Sequence, residues 1–428
     1  MDNATSRLWG NTGRRRLLVG VAVAACLVST ACGSSGSGSS GGGTSAAGGI
    51  KTLEVGAVIN ETGETSAFEE PALLGLEYAV SQLNSYGGFV VSGQHYKVKL
   101  VVAPNPAGDV TTVVADVRSL ISQGIKLIFG PPGVGALEAM PLTNAAGVLF
   151  PTAASELIPD LGPKNPLVWR TSEDLDEAGV LTADLVHHLL PGVNSLADLE
   201  ANTAEGKTDV PIESALFNTV GIKNVYTQYF DPSTTDFTSL LTAAGAHNPG
   251  LLDLTSESPQ NETELTEAID LHVAQAYNGD VPDALLHTLV PASFHGYVIS
   301  GGNGIQFLVP VTAQETAFET GFNKWLGKTF TGYPSQTYYY DPLFMMVTAM
   351  EKANSVTNTQ AIAQEFSTMT YTGFDGHPAL NGPQHYMSNH QIDLPEDFCY
   401  YQTPKLTCLR ADLSGGKLVI GPSASITY

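Results

Sequence analysis

Basic residues are scarce in this chain: its 428 residues hold 19 Lys and Arg against 42 Asp and Glu, a formal net charge of −23. So acidic a surface repels phosphate backbones and anionic headgroups, which excludes nucleic acid and a bare lipid surface as partners. Cysteine is scarcer still, at 4 residues. Two of these, Cys26 and Cys32, lie in the amino-terminal segment, which leaves Cys399 and Cys408 for the rest. In CYYQTPKLTC the close pair reads as a local disulfide that clamps a loop or hairpin, as an oxidising compartment permits. Paired histidines that would make it a metal site are missing beside it. Catalytic signatures are missing too. There is no GxSxG elbow, no HExxH and no phosphate loop, because GPPGVG lacks the following lysine and hydroxyl. His377, His385 and His390 in GHPALNGPQHYMSNH read as polar loop histidines. The expectation is a protein without enzymatic chemistry, cofactor or metal.

What is present begins at the amino terminus. Arg14-Arg15-Arg16 precedes LLVGVAVAACLV and the small residues Ser29, Thr30 and Ala31. A basic stretch, a short apolar run and small residues before a cut site read as a signal peptide over residues 1–31. The run is too short to span a bilayer, which needs about 20 apolar residues. From Cys32 to residue 50 the chain is mostly Gly, Ser and Ala, a composition that behaves as a flexible tether. Small residues before a cysteine, with such a leash after it, resemble the lipobox of bacterial lipoproteins. That resemblance implies a lipid anchor at Cys32, with Cys26 as a rival site. It places the protein outside the cytoplasm, on the outer face of the cytoplasmic membrane, held there through lipid only. Sec and twin-arginine export both remain open. Without residues 1–31 the chain keeps 15 basic and 41 acidic residues, a formal charge of −26.

Nearly 380 residues follow, enough for two cores at roughly 100–200 residues per domain. LEVGAVI (53–59), YKVKLVV (96–102), KLIFG (126–130) and VLF (148–150) read as strands. Between them lie helical patterns at 71–84, 110–123 and 136–145, the first carried by Leu73, Leu76, Val80 and Leu83 at helical spacing. The alternation restarts with helices at 173–190, 210–220 and 237–246 and strands at 195–201, 223–230 and 250–256. Further helices are expected around Phe318, Phe322 and Trp325 and over 342–353. Strands alternating with helices of this length indicate α/β architecture with doubly wound parallel sheets.

The stretch LEVGAVINETGETSAFEEPALLGLEYAVSQLNSYGG resembles the opening of type I periplasmic binding proteins of the leucine/isoleucine/valine-binding group. The likeness continues through GIKLIFGPPG, GVLFPTAAS, NPLVWRTSEDLDEAG and YFDPSTTDFTSLLTAAGAHNPGLLDL, and more faintly through DPLFMMVTAMEKANS. It implies two Rossmann-like lobes joined by hinge strands: 51–171 plus 299–385, and 172–298 plus 386–428. It also implies a monomer that closes on a small-molecule solute and delivers it to the permease and ATPase subunits of an ABC importer. A ligand sensor acting on a regulatory partner is the alternative on the same fold.

By the same resemblance, ligand contacts fall on the backbone N–H groups of Val134, Gly135 and Ala136, where this chain carries no hydroxyl. A tight glycine turn without a ligand role reads equally well there. Thr152, Ala154 and Ser155 match a second ligand loop, Ser155 serving also as a helix cap. Phe68, in the loop after the first strand, matches an aromatic lid. In the second lobe Glu205, Glu257 and Asp280 match ligand-facing positions. Three acids at one cleft favour an amine-bearing solute, such as an amino acid, an amide or a related amine, although each alone reads as a solvated surface acid.

Overall fold

A computed structural model describes residues 49–428, apart from 61–65, 106–109, 132–133, 155–160, 163, 173–174, 204–205, 255–259, 280, 301–307, 374–389, 393–395 and 414–416. The signal and tether segment with Cys26 and Cys32 therefore lies outside the described residues, apart from Gly49 and Ile50. So do His377, His385 and, at the predicted site, Ser155, Glu205, Glu257 and Asp280. Among the described residues no helix is long and apolar enough to cross a membrane.

The first sheet has the order β2-β3-β1-β4, with β1 Lys51–Asn60, β2 Phe89–Val91, β3 Gln94–Asn105 and β4 Ile128–Phe129. β1 runs parallel to β3 in unbroken register from Lys51↔Tyr96 to Asn60↔Asn105. β5 (Phe150–Thr152) and β6 (Val168–Arg170) pair in parallel. They extend the same layer, because Ile128 N–H donates to Leu149 O and Gly130 N–H to Pro151 O. Helices α1 (Ser66–Ser85), α2 (Val110–Ser122) and α3 (Val134–Ala145) cover this layer together with α9 (Ala313–Leu326), α10 (Thr337–Lys352) and α11 (Thr359–Thr368). One core gathers Leu76, Phe129, Trp169, Tyr339, Leu343, Met346 and Phe366, each worth about 1.5–3 kcal/mol on full burial. α1 and α10 meet so closely that a Cβ on Gly75 would stand 2.0 Å from Gln336 O.

Among the described residues the second sheet has eight strands, in the order β14-β13-β12-β11-β10-β9-β7-β8. β7 (Ser195–Ala201), β8 (Lys223–Phe230), β9 (Leu251–Leu254), β10 (Ala276–Gly279) and β11 (Tyr297–Ser300) are parallel. Helices α4 (Leu175–Leu189), α5 (Gly206–Thr219), α6 (Thr238–Gly245), α7 (Asn261–Asp270) and α8 (Asp283–Leu289) connect them. β12 (Glu396–Gln402), β13 (Lys405–Leu413) and β14 (Leu418–Thr427) add an antiparallel meander. Cys399 and Cys408 oppose each other across β12 and β13 and form a disulfide, so the clamped element is a hairpin.

The chain passes between the two layers three times. It leaves the first after β6, and returns after β11 into α9, whose Phe318 and Phe322 pack on Tyr78 of α1. It leaves again through Gln391, which forms a parallel bridge with Arg170. Arg170 N–H donates to His390 O and Ile392 N–H to Arg170 O. His390 stacks on Trp169 at 4.9 Å and 8°, with Nδ1 2.8 Å from Val168 O. It is a structural histidine of the crossing, and burial lowers its pKa.

Three helices begin a turn earlier than the sequence places them: α1 at Ser66 rather than Pro71, α5 at Gly206 rather than Val210, and α10 at Thr337 rather than Pro342. Each holds a proline at its sixth position. Proline is favoured in a first turn, so it reads as a start, yet here one more turn precedes it. Phe68 is corrected accordingly: it sits in the first turn of α1, not in a loop.

Candidate functional site

In open α/β sheets a ligand site lies beyond the carboxyl ends of the parallel strands, where helix amino termini also point. At that end of the first sheet, Gly130 adopts φ +70, and a Cβ there would meet Val58 O at 2.6 Å. Only glycine fits so tight a turn against β1. Thr152 is fully buried and its hydroxyl donates to Pro131 O at 2.5 Å, while its carbonyl accepts from Thr171 N–H. Thr152 is thus a strut that holds the turn after β4. Ala136 and Ala154 are buried in one apolar cluster with Phe150. Gly135 is buried as well, with its α-carbon side against Pro131 and Val113. Val134 begins α3.

Two residues that sequence reading passed over meet at this end. Tyr339 of α10 is buried beside Gly130, and its Oη accepts a long bond, 3.4 Å, from Ala153 N–H. Burial, and next to it the carboxylate of Glu69, push its phenol above the usual range. Glu69 is itself buried in the first turn of α1. Phe68, half-buried, packs edge-on to Tyr333 with ring centroids 4.0 Å apart, and its carbonyl accepts from Ser335 Oγ at 2.5 Å. Nothing in the local sequence ties residues 333–339 to Gly130, because the contact spans some 200 residues of chain.

The second sheet presents a different chemistry. Asp198 of β7 pairs in register with Asp253 of β9, and Asp253 with Asn278 of β10. The three side chains therefore lie in one row on one face. All are at most 5% exposed. Asp198 Oδ2 accepts from Ser214 Oγ at 3.3 Å, from Thr227 Oγ1 at 3.2 Å and from Asn224 Nδ2. Asn278 Nδ2 donates to Asp253 Oδ1 at 2.8 Å. Glu200, two residues beyond Asp198 and 3% exposed, accepts from Ala201 N–H at 2.7 Å. α5 brings Asp209 and Glu213 against this row, and α7 carries the fully buried Glu264, which acts with Glu200.

These acids act on one another. Burial pushes the Asp198 carboxyl up to about 7 against its hydrogen bonds. Burial, followed by Asp253, Asp209, Glu200 and Asp198, pushes Glu213 well above the carboxylate range. Burial, then Glu200 and Glu267, does the same for Glu264. A sequence signal for this row exists. Parallel strands covered on both faces read as nearly continuous apolar runs, and Asp198, Glu200, Asp253 and Asn278 interrupt theirs. The predicted acids Glu257 and Asp280, outside the described residues, follow β9 and β10 in the sequence, and Glu205 follows β7.

A family model described as periplasmic binding protein matches residues 52–393. A Leu/Ile/Val-binding protein homolog of Brucella melitensis is 27% identical over 200 residues, 45% of this chain and 52% of the relative, so the match spans about half that relative's length. Among solved structures, a solute-binding protein of an ABC transporter from Rhodopseudomonas palustris, in complex with p-hydroxybenzoic acid, is similar with a TM-score of 0.68 at 16% identity. That match covers 88% of this chain and 97% of the other. A leucine-binding protein from Thermotoga maritima gives 0.66 at 16% identity, covering 87% and 98%. A branched-chain amino acid transporter substrate-binding protein from Streptococcus pneumoniae, in complex with isoleucine, gives 0.66 at 16%, covering 88% and 100%.

Proposed function

We propose, for a chain that belongs to the periplasmic binding protein family, that it is the solute receptor of an ABC importer and captures a small polar, amine-bearing solute between two lobes. The family binds its ligands and does not transform them. The two lobes are read as 51–171 plus 299–385 and 172–298 plus 386–428. One observation carries the ligand class: Glu200, next to the carboxyl end of β7, is a buried acid, and acids at that end favour a positively charged group and oppose an anion. That argues against an aromatic acid of the kind held by the Rhodopseudomonas relatives.

Capture follows the hinge logic of the fold. Solute held by one lobe makes a second set of contacts only when the other closes, and this difference in affinity shifts the population to the closed form. On the first lobe we assign the contacts to Phe68, Tyr339 and the backbone N–H groups of Val134, Gly135 and Ala136, with Thr152, Ala154 and Ser155 shaping the wall. On the second lobe Glu205, Glu257 and Asp280 are assigned to the rim. The closed form would dock on a permease at the outer face of the cytoplasmic membrane, with Cys32 carrying the lipid. A thermal-shift screen against amino acids, amides, amines and aromatic acids tests the reading. A ligand that binds only the folded state raises the midpoint by mass action. A rise with amine-bearing solutes alone is expected, and a rise with aromatic acids alone would overturn the ligand class.

A further inference from the structure

The strand register of the second sheet lines up one row of side chains across four strands. Ser300 of β11 pairs with Cys399 of β12, Cys399 with Cys408 of β13, and Cys408 with Ala424 of β14. Directly paired residues share a face of the sheet. Asp283, the first residue of α8, reaches that face, where Ser300 Oγ donates to its Oδ1 at 2.6 Å. A carboxylate oxygen of Asp283 and the sulfurs of Cys399 and Cys408 all lie within 4.8 Å of one another. Among the described residues no other three His, Cys, Asp or Glu side chains come so close. Both cysteines are fully buried, and burial pushes the Asp283 carboxyl up to about 6 against its Ser300 bond. A cystine offers an acid little, because neither of its sulfurs carries a proton to donate. The disulfide alone does not account for a carboxylate held against it.

We propose that Asp283, Cys399 and Cys408 form a binding site for a thiophilic divalent cation of the zinc type, which becomes available when the disulfide is reduced. This goes beyond the receptor reading and does not depend on the solute. Two sulfurs select zinc or cadmium over calcium and magnesium, which take oxygen ligands. A tetrahedral ion with bonds of about 2.0–2.3 Å holds its ligand atoms roughly 3.5–4 Å apart. The three atoms are already gathered near that spacing, and only the two sulfurs have to part. Three protein ligands leave the fourth position to water. Ser300, bonded to Asp283 Oδ1, supports the carboxylate from behind, as partners of metal ligands do. The sequence hides the site, because CYYQTPKLTC shows two ligands and the third comes from α8, far back in the chain.

The chemistry balances with a dithiol as reductant. Thiol–disulfide exchange breaks the Cys399–Cys408 bond and forms two S–H groups with the protons of the dithiol, which closes to its own disulfide. The ion then forms two metal–sulfur bonds and releases both thiol protons to solvent. A chain that works outside the cytoplasm is made inside it, where thiols stay reduced. In that state the ion staples β12 to β13 as the disulfide does later.

Cadmium titration of the full chain tests the site, with the dithiol removed by desalting in the absence of oxygen. The thiolate-to-cadmium absorption band separates this site from cations that gather on the acidic surface. The reduced chain is expected to show the band and to saturate at one ion, and the oxidised chain to show none. Cadmium or zinc should raise the melting midpoint of the reduced chain by mass action and leave that of the oxidised chain unchanged. Cys399→Ser with Cys408→Ser should abolish the band. Asp283→Asn keeps an oxygen to accept from Ser300, so the oxidised variant should fold as the parent does. Its reduced form should bind the ion at least about tenfold more weakly, the loss that follows even from removing a ligand's supporting partner. A reduced chain that shows no band, or whose midpoint neither ion raises, would overturn the site. Equal affinity in Asp283→Asn would overturn the three-ligand assignment.

Discussion

The two carboxyl ends of this molecule differ in what they leave open. At the first sheet, the polar groups are spent on each other: Thr152 on Pro131, Ala153 on Tyr339, Ser335 on Phe68, Gly130 on Pro151. Gln336 Oε1, Thr337 Oγ1, Thr171 Oγ1 and Ser172 Oγ are among the buried atoms near it with no hydrogen bond. At the second sheet they include carboxylate oxygens of Asp198 and Glu264. One end is a scaffold with aromatic and backbone surfaces, and the other carries a cluster of buried acids. The difference assigns them different work: shape and orientation on the first side, charge selection on the second.

The hardest blow to this contrast falls on the compensated acids. Arg410→Met removes the guanidinium that the buried Asp397 and Glu315 share, and breaking such a pair costs about 3–5 kcal/mol. Glu315 also closes a capping box, accepting from Thr312 Oγ1 at 2.8 Å and from Val311 N–H at 2.7 Å, so α9 should loosen with it. Urea unfolding of the variant measures the loss. A change below about 1 kcal/mol would mean that buried acids cost little here, and the contrast between the two ends would weaken with it.

The row itself gives the opposite sign. Asp198 has its folded pKa raised to about 7 from 3.8. Its contribution to stability is therefore fully present below pH 3.8 and lost as pH rises through about 7, because over that window the folded state holds a proton that the unfolded state has released. Glu213 and Glu264, raised in the same direction, add to the slope. The ligand-free protein should unfold more easily at pH 8 than at pH 5. Asp198→Asn should recover on the order of 1–3 kcal/mol at pH 8 and leave acid stability unchanged. Chemical denaturation at both pH values reads the difference, and a flat profile would place these carboxyls in water.

Much of the fold was legible because apolar runs and glycine stops leave a plain periodic trace: β1, β3, α2, β7 and β8 lie within two or three residues of their expected bounds. The misses have common causes. Proline hid the first turns of α1, α5 and α10, and with them the helical setting of Phe68. The short β2, an antiparallel edge strand of three residues, carries too little pattern to be seen. The site was legible only where it is local. The turn at Gly130 shows in GPPG, whereas Tyr339 reaches it from another third of the chain. Asp198 and Glu200 in SLADLEA alternate with apolar residues and so read as a strand with one solvated face. Only the cover of α5, with Asp209 and Glu213, turns that face into a buried one.

On the first sheet the effects should be smaller and should fall on solute rather than on folding. Phe68 is half-buried, and its contact with Tyr333 is one edge-on pair. Phe68→Ala should cost about 1 kcal/mol of stability. A ring that faces a cationic solute contributes roughly 0.5–2 kcal/mol, so affinity should fall by about tenfold. Calorimetry with the solute identified by the thermal-shift screen would show it, and unchanged affinity would remove Phe68 from the contact set.

The smallest change separates scaffold from contact at a single oxygen. Tyr339→Phe keeps the ring that packs on Phe129 at 5.3 Å and removes only Oη. Ala153 N–H then loses its acceptor, and a buried N–H left unmade costs about 1 kcal/mol. The native bond is long at 3.4 Å, so the loss should fall in the lower half of that range. If Oη only props the loop after β5, affinity for solute should drop no more than stability does. If it also touches solute, affinity should fall further than stability, and by a similar factor at pH 6 and pH 8, since its raised phenol stays protonated across that range. A pH-dependent loss would instead tie Tyr339 to the neighbouring Glu69, and the division of labour between a neutral first end and a charged second end would have to be redrawn.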